Sequence, residues 1–317
     1  MDPVVIRPVV IRPVVIREVG LRDGLQMLAA GPTTGQKQAW IDAERAAGLR
    51  EMEVCSFVPA ALMPQFADAA DIVRYARGVE GLAVTALAPN LKGAQLAAEA
   101  GVDKINFVIS VSESHNLANV RRTPRESIGQ LREIVAMLAS LPADRRPGID
   151  VGLSTAFGCS IEGRVDPEAT LRLAEEVAAA GVDGITIADT VGYADPIAVA
   201  GLSAAMLERF ADLPIAIHLH DTRGLALANA FSAYQAGIRI FDGSLGGLGG
   251  CPHAPGATGN VAIEDLIFMF ELMGVDTGID LARLLVARSA VAAMLPPGAL
   301  GGQLARAGLP KTMRVAS

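Results

Sequence analysis

Apolar segments of five to eight residues recur along the chain, separated by alanine-rich stretches of helical spacing and broken by glycine, proline or charge. They fall at 13–19, 51–57, 82–87, 104–110, 148–155, 184–188, 214–220 and 238–243, and each reads as a strand. Four of the separating stretches end alike, in Ala-Gly followed at once by an apolar run: "AAGLREMEV" (46–54), "EAGVDKINFVI" (99–109), "AAGVDGITIAD" (179–189) and "QAGIRIFDG" (235–243). A glycine closing a helix with a strand directly after it marks a helix-to-strand junction. The glycines, at 48, 101, 181 and 237, lie 53, 80 and 56 residues apart; the longest gap has room for two units, the second carried by "RRPGIDVGLSTAF" (145–157).

Helix and strand in alternation predict right-handed βαβ units on a parallel sheet. Eight such units over ~250 residues predict the α/β class and a (β/α)8 TIM barrel. The barrel is expected over 13–275 and a C-terminal helical extension over 276–317. A doubly wound open sheet is the alternative. Such a sheet usually has a glycine-rich phosphate turn after its first strand, where this chain has "EVGLRDGLQ" (18–26). The start of the chain repeats PVVIR at 3–7, 8–12 and 13–17. Arginine and proline every five residues fit no secretory signal, and only the third copy is expected in the fold, leaving 1–12 as a leader.

Composition narrows the function. Of 317 residues 51% are hydrophobic and 19% charged, enough for a large core and unlike a disordered chain. No apolar run approaches the ~18 residues of a membrane span, so no membrane partner is expected. A net charge of -7 with scattered basic residues, and only 4% aromatics, argue against a nucleic-acid partner. Three cysteines, Cys55, Cys159 and Cys251, form neither a disulfide framework nor a zinc pattern; a reducing, cytoplasmic setting fits.

In a parallel barrel the chemistry sits where strands end. Those ends carry Glu18, Arg22, Asp23 and Gln26; Glu53; "SESHN" (112–116); Asp189 and Thr190; and "HLHD", with His218, His220 and Asp221. Residues i and i+2 of a strand share a face, so His218 and His220 can reach one point. With Asp23 across the barrel they form a candidate divalent-metal site whose donors suit Mn²⁺, Mg²⁺ or Zn²⁺. Beside a metal, Arg22 becomes a clamp for a carboxylate or enolate oxygen, and Glu53 on the inward face needs Arg22 as its partner. Cys55 is expected on the face of Glu53 in an apolar setting, and Cys159 is expected to be structural. Cys251 differs: "SLGGLGGCPHAPGATGN" (244–260) surrounds it with six glycines and two prolines and offers no core.

At these residues the chain resembles the 3-hydroxy-3-methylglutaryl-CoA lyase family, within the metal-dependent barrels that include isopropylmalate synthase. The resemblance rests on "EVGLRDGLQ" (18–26), "EVCSFVP" (53–59), "SESHN" (112–116), "AFGCSIEG" (156–163), "ADTVG" (188–192), "HLHDTRGLALAN" (218–229) and "GGLGGCPHAPGATGNVAIEDL" (246–266). It implies metal ligands Asp23, His218, His220 and Asn260 for Mg²⁺ or Mn²⁺, and a catalytic set of Arg22, Glu53, Asp189, His218 and Cys251. Arg22 would stabilise an enolate and Cys251, on a glycine-rich lid, would move a proton. His218 or Asp189 would be the base, and Gln26 and Ser112 would touch substrate. The implied reaction is carbon–carbon cleavage of 3-hydroxy-3-methylglutaryl-CoA, or a related 3-hydroxyacyl-CoA, to acetyl-CoA and a ketone product such as acetoacetate. The implied partners are an acyl-CoA substrate and a second copy of the chain as a homodimer. A condensing enzyme of the isopropylmalate synthase kind and a non-catalytic acyl-CoA-binding barrel are the alternatives. Two stretches depart from the family pattern. Met27-Leu28-Ala29 replaces a polar loop expected beside the metal, and "FGCSIEG" replaces "FGCPYEG".

Overall fold

The structure, a computed structural model, describes residues 13–29, 31–250 and 259–311; the expected leader 1–12 lies outside them. Eight strands follow the apolar segments to within two residues at each end. They are β1 (Val15–Glu18), β2 (Glu51–Ser56), β3 (Ala83–Leu87), β4 (Lys104–Ser110), β5 (Gly148–Ser154), β6 (Gly184–Asp189), β7 (Ile215–Leu219) and β8 (Ile240–Gly243). Each pairs in parallel with the next and β8 pairs with β1, closing the barrel, so the open sheet is excluded.

The helices outside it are α1 (Thr34–Ala46), α2 (Ala69–Arg77), α3 (Leu91–Ala100), α4 (Glu113–Val120), α5 (Pro124–Ala139), α6 (Pro167–Ala179), α7 (Pro196–Arg209), α8 (Ala226–Ala236) and α9 (Ile263–Leu272). They are followed by α10 (Leu281–Ala292), which packs on α1 and α9, and the short α11 (Leu304–Ala307). Local chemistry sets the helix ends. Thr33 and Gln36 form a capping box at α1, as Thr123 and Glu126 do at α5. Gly101 closes α3 at φ 91°, the left-handed turn that sends the chain into β4.

The apolar positions of the strands face outward, not into the barrel. Ile105, Phe107 and Ile109 of β4 and Ile185 and Ile187 of β6 are buried in the core beneath the helices. The alternate positions point inward and are polar: Arg17, Glu53, Thr85, Asn106, Asp150, Thr186 and Asp242. Barrel interiors are more often filled by branched apolar side chains. Here a charged layer fills the middle, with Arg17 donating to Asp242 and Asp150, and Lys104 within 3.0 Å of Asp150. Ion pairs in a dry interior depend on good geometry, so this layer is the rigid floor on which the site above it stands.

Candidate metal centre

Above the floor, at the C-terminal ends of the strands, a cavity of about 200 Å³ opens. Its wall includes Arg22, Asp23, Gln26, His218 and His220 on one side and Val58, Met63, Leu87 and Val108 on another. Arg22 and Asp23 are adjacent in sequence yet both reach it. They lie in a wide turn, Gly20–Gly24, in which the amides of Asp23 and Gly24 reach back to the Val19 carbonyl. Such π-type turns are frequent at functional sites.

The ligand atoms of Asp23, His218 and His220 all lie within 4.8 Å of one another, and all three residues are buried. The two Nε2 atoms are 3.1 Å apart, and His220 Nε2 is 3.8 Å from Asp23 Oδ2. Two donors about 2.1 Å from an octahedral ion, at right angles, stand about 3 Å apart, so the spacing fits a divalent cation. Asn260 is brought alongside by an antiparallel bridge with His220. Its Nδ2 donates to Asp23 Oδ2 and the Leu248 carbonyl, while Oδ1 is buried with no hydrogen-bond partner among the described residues. Such an oxygen is what an added cation would satisfy. Gly259 permits this approach. A Cβ there would sit 1.7 Å from the Gly247 carbonyl oxygen, so only glycine lets the two ends of the glycine-rich segment meet.

Charge is arranged around the trio. Burial opposes the charged form of Asp23, yet Arg22, the two imidazoles and the Asn260 amide hold its pKa below the ordinary carboxylate value. Burial and the neighbouring His218 push His220 down to about 4, so it is neutral and able to ligate. Arg22 Nε donates to Glu53 Oε2 at 2.7 Å, and its Nη1 donates to Asp23 Oδ1 at 2.7 Å. The expected Glu53–Arg22 pairing is therefore present, and Glu53 Oε1 also accepts from Asn106 Nδ2 at 2.9 Å. Gln26 lines the cavity and donates to Asp23 Oδ1.

Three expected placements need correction. Asp189 alternates with the wall residue Ala188, so it points out of the barrel, and its oxygens accept from the amides of Tyr193 and Ala194. Burial lifts its pKa to about 6 although these amides oppose the rise. Ser112 caps α4 through the amide of His115 and donates to Cys159 Sγ, and it does not line the cavity. Cys55 does not share the face of Glu53. A bulge between them inserts an extra residue in β2 and turns the thiol toward the Ala69 carbonyl on α2.

Cys159 is structural as expected, accepting from Ser112 and from the amides of Ile161 and Glu162. Met27, Leu28 and Ala29 follow the wall residue Gln26 but do not themselves line the cavity; a 3₁₀ turn, Leu25–Met27, carries Met27 into solvent. Cys251 lies outside the described residues.

Four residues of the site and its floor went unread in the sequence. Asp242 Oδ2 stands 3.2 Å from His218 Nδ1, and Arg17 holds the other oxygen. Asn106 completes Glu53, and His115, within "SESHN", lines the cavity with Nδ1 2.8 Å from Ser110 Oγ. An acidic residue inside the apolar run "QAGIRIFDG" was the available signal for Asp242.

Comparison with known proteins gives the family. A family model described as HMGL-like matches residues 13–291. The hydroxymethylglutaryl-CoA lyase YngG of Bacillus subtilis is 40% identical over 270 residues, 84% of this chain and 88% of that protein. The (R)-citramalyl-CoA lyase of Chloroflexus aurantiacus is 40% identical over 286 residues, 86% of this chain and 88% of that protein. Among solved structures, an HMG-CoA lyase from Acinetobacter baumannii, in complex with coenzyme A and 3-methylmalate, superposes with a TM-score of 0.89 at 36% identity. It covers 96% of this chain and 98% of that one.

Proposed function

The chain belongs to the HMGL-like family and is a carbon–carbon lyase, and on that premise we propose that it cleaves 3-hydroxy-3-methylglutaryl-CoA to acetyl-CoA and acetoacetate. The observation that carries this reading is the buried trio Asp23, His218 and His220 with the unpartnered Asn260 Oδ1 beside it. These four residues would hold Mg²⁺ or Mn²⁺. A divalent ion chelated by the substrate's hydroxyl and carboxylate would lower the pKa of that hydroxyl. Cleavage then moves the electron pair of the C2–C3 bond onto the thioester as an enolate while C3 becomes a ketone, the hydroxyl proton of C3 passing to water in the cavity. Arg22, held from behind by Glu53, faces the cavity as the cation that meets the enolate oxygen. Cys251 is assigned the delivery of the proton that turns the enolate into acetyl-CoA. Of the two residues considered as base, Asp189 points away from the cavity, and at His218 the ligand role occupies Nε2.

The chain's match to a citramalyl-CoA lyase supports a second substrate for the same site. Citramalyl-CoA is also a 3-hydroxy-3-methyl acyl-CoA bearing a carboxylate, and its cleavage also releases acetyl-CoA. Each thioester incubated with the protein and Mn²⁺, with both products identified by mass spectrometry, tests the proposal. Acetyl-CoA with acetoacetate supports the first reading and acetyl-CoA with pyruvate the second. Intact thioester in both incubations contradicts both readings.

A further inference from the structure

We propose that Arg17 sets the proton position on His218 through Asp242, and so fixes which imidazole lone pair faces the metal site. The inference rests on the reading that Asp23, His218 and His220 hold an ion. The three residues lie in one row of the barrel, with Arg17 in register with Asp242 across β1 and β8, and His218 in register with Asp242 across β7 and β8. Arg17 Nε donates to Asp242 Oδ1 at 2.6 Å, and Asp242 Oδ2 is 3.2 Å from His218 Nδ1. Arg17 is itself fixed by Asp150 and by Thr186 Oγ1 at 3.0 Å.

A guanidinium can only donate. With one carboxylate oxygen taken by Arg17, the other is left to accept from His218, which must carry its proton on Nδ1. The bare Nε2 then faces the ion site. Carboxylate partners of this kind orient metal-binding histidines and tune their affinity about 10–100-fold. His220 lacks such a partner, its Nδ1 being buried without a hydrogen bond in the structure. In the metal-free protein His220 therefore donates its Nε2 proton to the bare Nε2 of His218 and must shift it to Nδ1 to ligate, whereas His218 is the pre-set ligand. The third PVVIR copy thus contributes more than a strand: its arginine is the anchor of the relay.

Asp242→Asn exposes the relay because Arg17 dictates how the amide sits. The carbonyl must face Arg17, which turns the amide NH₂ toward His218 Nδ1 and forces the ring proton onto Nε2, into the metal site. Replacing Arg17 as well, in Arg17→Met/Asp242→Asn, frees the amide to turn over and accept from His218 again. Two measurements are made on the full chain: the ring ¹⁵N spectrum of His218 in metal-free protein, at a pH alkaline enough for the ring to carry a single proton, and Mn²⁺ affinity by calorimetry. The expected results are an Nδ1–H tautomer in the parent, an Nε2–H tautomer in Asp242→Asn with affinity about 10–100-fold weaker, and recovery of both in the double variant. An Nε2–H tautomer in the parent, or an Asp242→Asn variant unchanged in tautomer and affinity, overturns the proposal. A double variant that binds Mn²⁺ no better than Asp242→Asn overturns the part given to Arg17. Tautomers that follow the expected order in a protein binding no Mn²⁺ support the relay and refute the metal reading instead.

Discussion

His218 and His220 turn their Nε2 atoms toward each other at 3.1 Å, a distance that one shared proton spans as a hydrogen bond. A cation ligated by both nitrogens would take that proton's place. Metal binding is therefore expected to stabilise the fold, by about 2.7 kcal/mol at a free-ion concentration 100 times the dissociation constant. His220→Ala should lose that gain. Thermal melts with and without Mn²⁺ check this, and equal stabilisation of the parent and the variant would count against the site.

On the proposed function Arg22 is the cation that meets developing negative charge, so its loss should act on the chemical step. Arg22→Met is expected to lower kcat about 100–1000-fold, as when one preorganised oxyanion donor is removed. Glu53→Gln should cost less, because the amide oxygen can still accept from Arg22. Steady-state kinetics on both variants test this order, and Glu53→Gln as slow as Arg22→Met would contradict it.

Asp189 points away from the cavity and is bonded to two loop amides. Asp189→Asn keeps one oxygen acceptor and leaves an amide unsatisfied, at about 1–3 kcal/mol of stability. The variant is expected to be less stable to urea yet to retain its kcat. A large fall in kcat with unchanged stability would return Asp189 to the catalytic set.

Behind the site, Glu18 and Glu44 are two fully buried carboxyls that act on each other's charge. Glu18 Oε1 accepts from the amides of Gly20 and Leu245, at the roots of the loops carrying Asp23 and Asn260. Glu264 from α9, paired with Arg288 of α10, accepts the next amide, Gly246. Burial pushes Glu18 up to about 8, although the two amides oppose the rise, and pushes Glu44 upward as well. The folded pair thus keeps a proton that the unfolded chain has lost. Its stabilisation is complete below about pH 4.5 and disappears as pH rises through about 8. Glu44→Gln should flatten that decline. Melting temperatures of the two proteins across this window provide the check, and parallel curves would show that the pair carries no shared proton.

The barrel was legible in the sequence because each strand turns an apolar face to the helices, giving eight apolar runs where the barrel has eight strands. The candidate metal trio was legible because His218 and His220 share a strand face and Asp23 follows the end of β1, two strands away around the barrel. The resemblance implies site roles for Asp189 and Ser112, and position at a strand end does not tell which way a side chain points, so the sequence alone could not correct them. Strict alternation put Cys55 beside Glu53, but a bulge leaves no mark in the residues themselves. Arg17 and Asp242 meet only through register across strands β1 and β8, which the order of residues along the chain does not reveal.

The central claim is a carbon–carbon lyase working through a divalent ion at Asp23, His218, His220 and Asn260. Acetyl-CoA release from 3-hydroxy-3-methylglutaryl-CoA tests it most directly, after EDTA treatment and again after Mg²⁺ or Mn²⁺ is restored, with a thiol reductant present throughout. The account predicts no turnover in the stripped protein and ordinary enzyme rates, about 1–1000 per second, on restoration. Turnover unaffected by stripping, or none after reloading a folded protein shown to bind the ion, would contradict it.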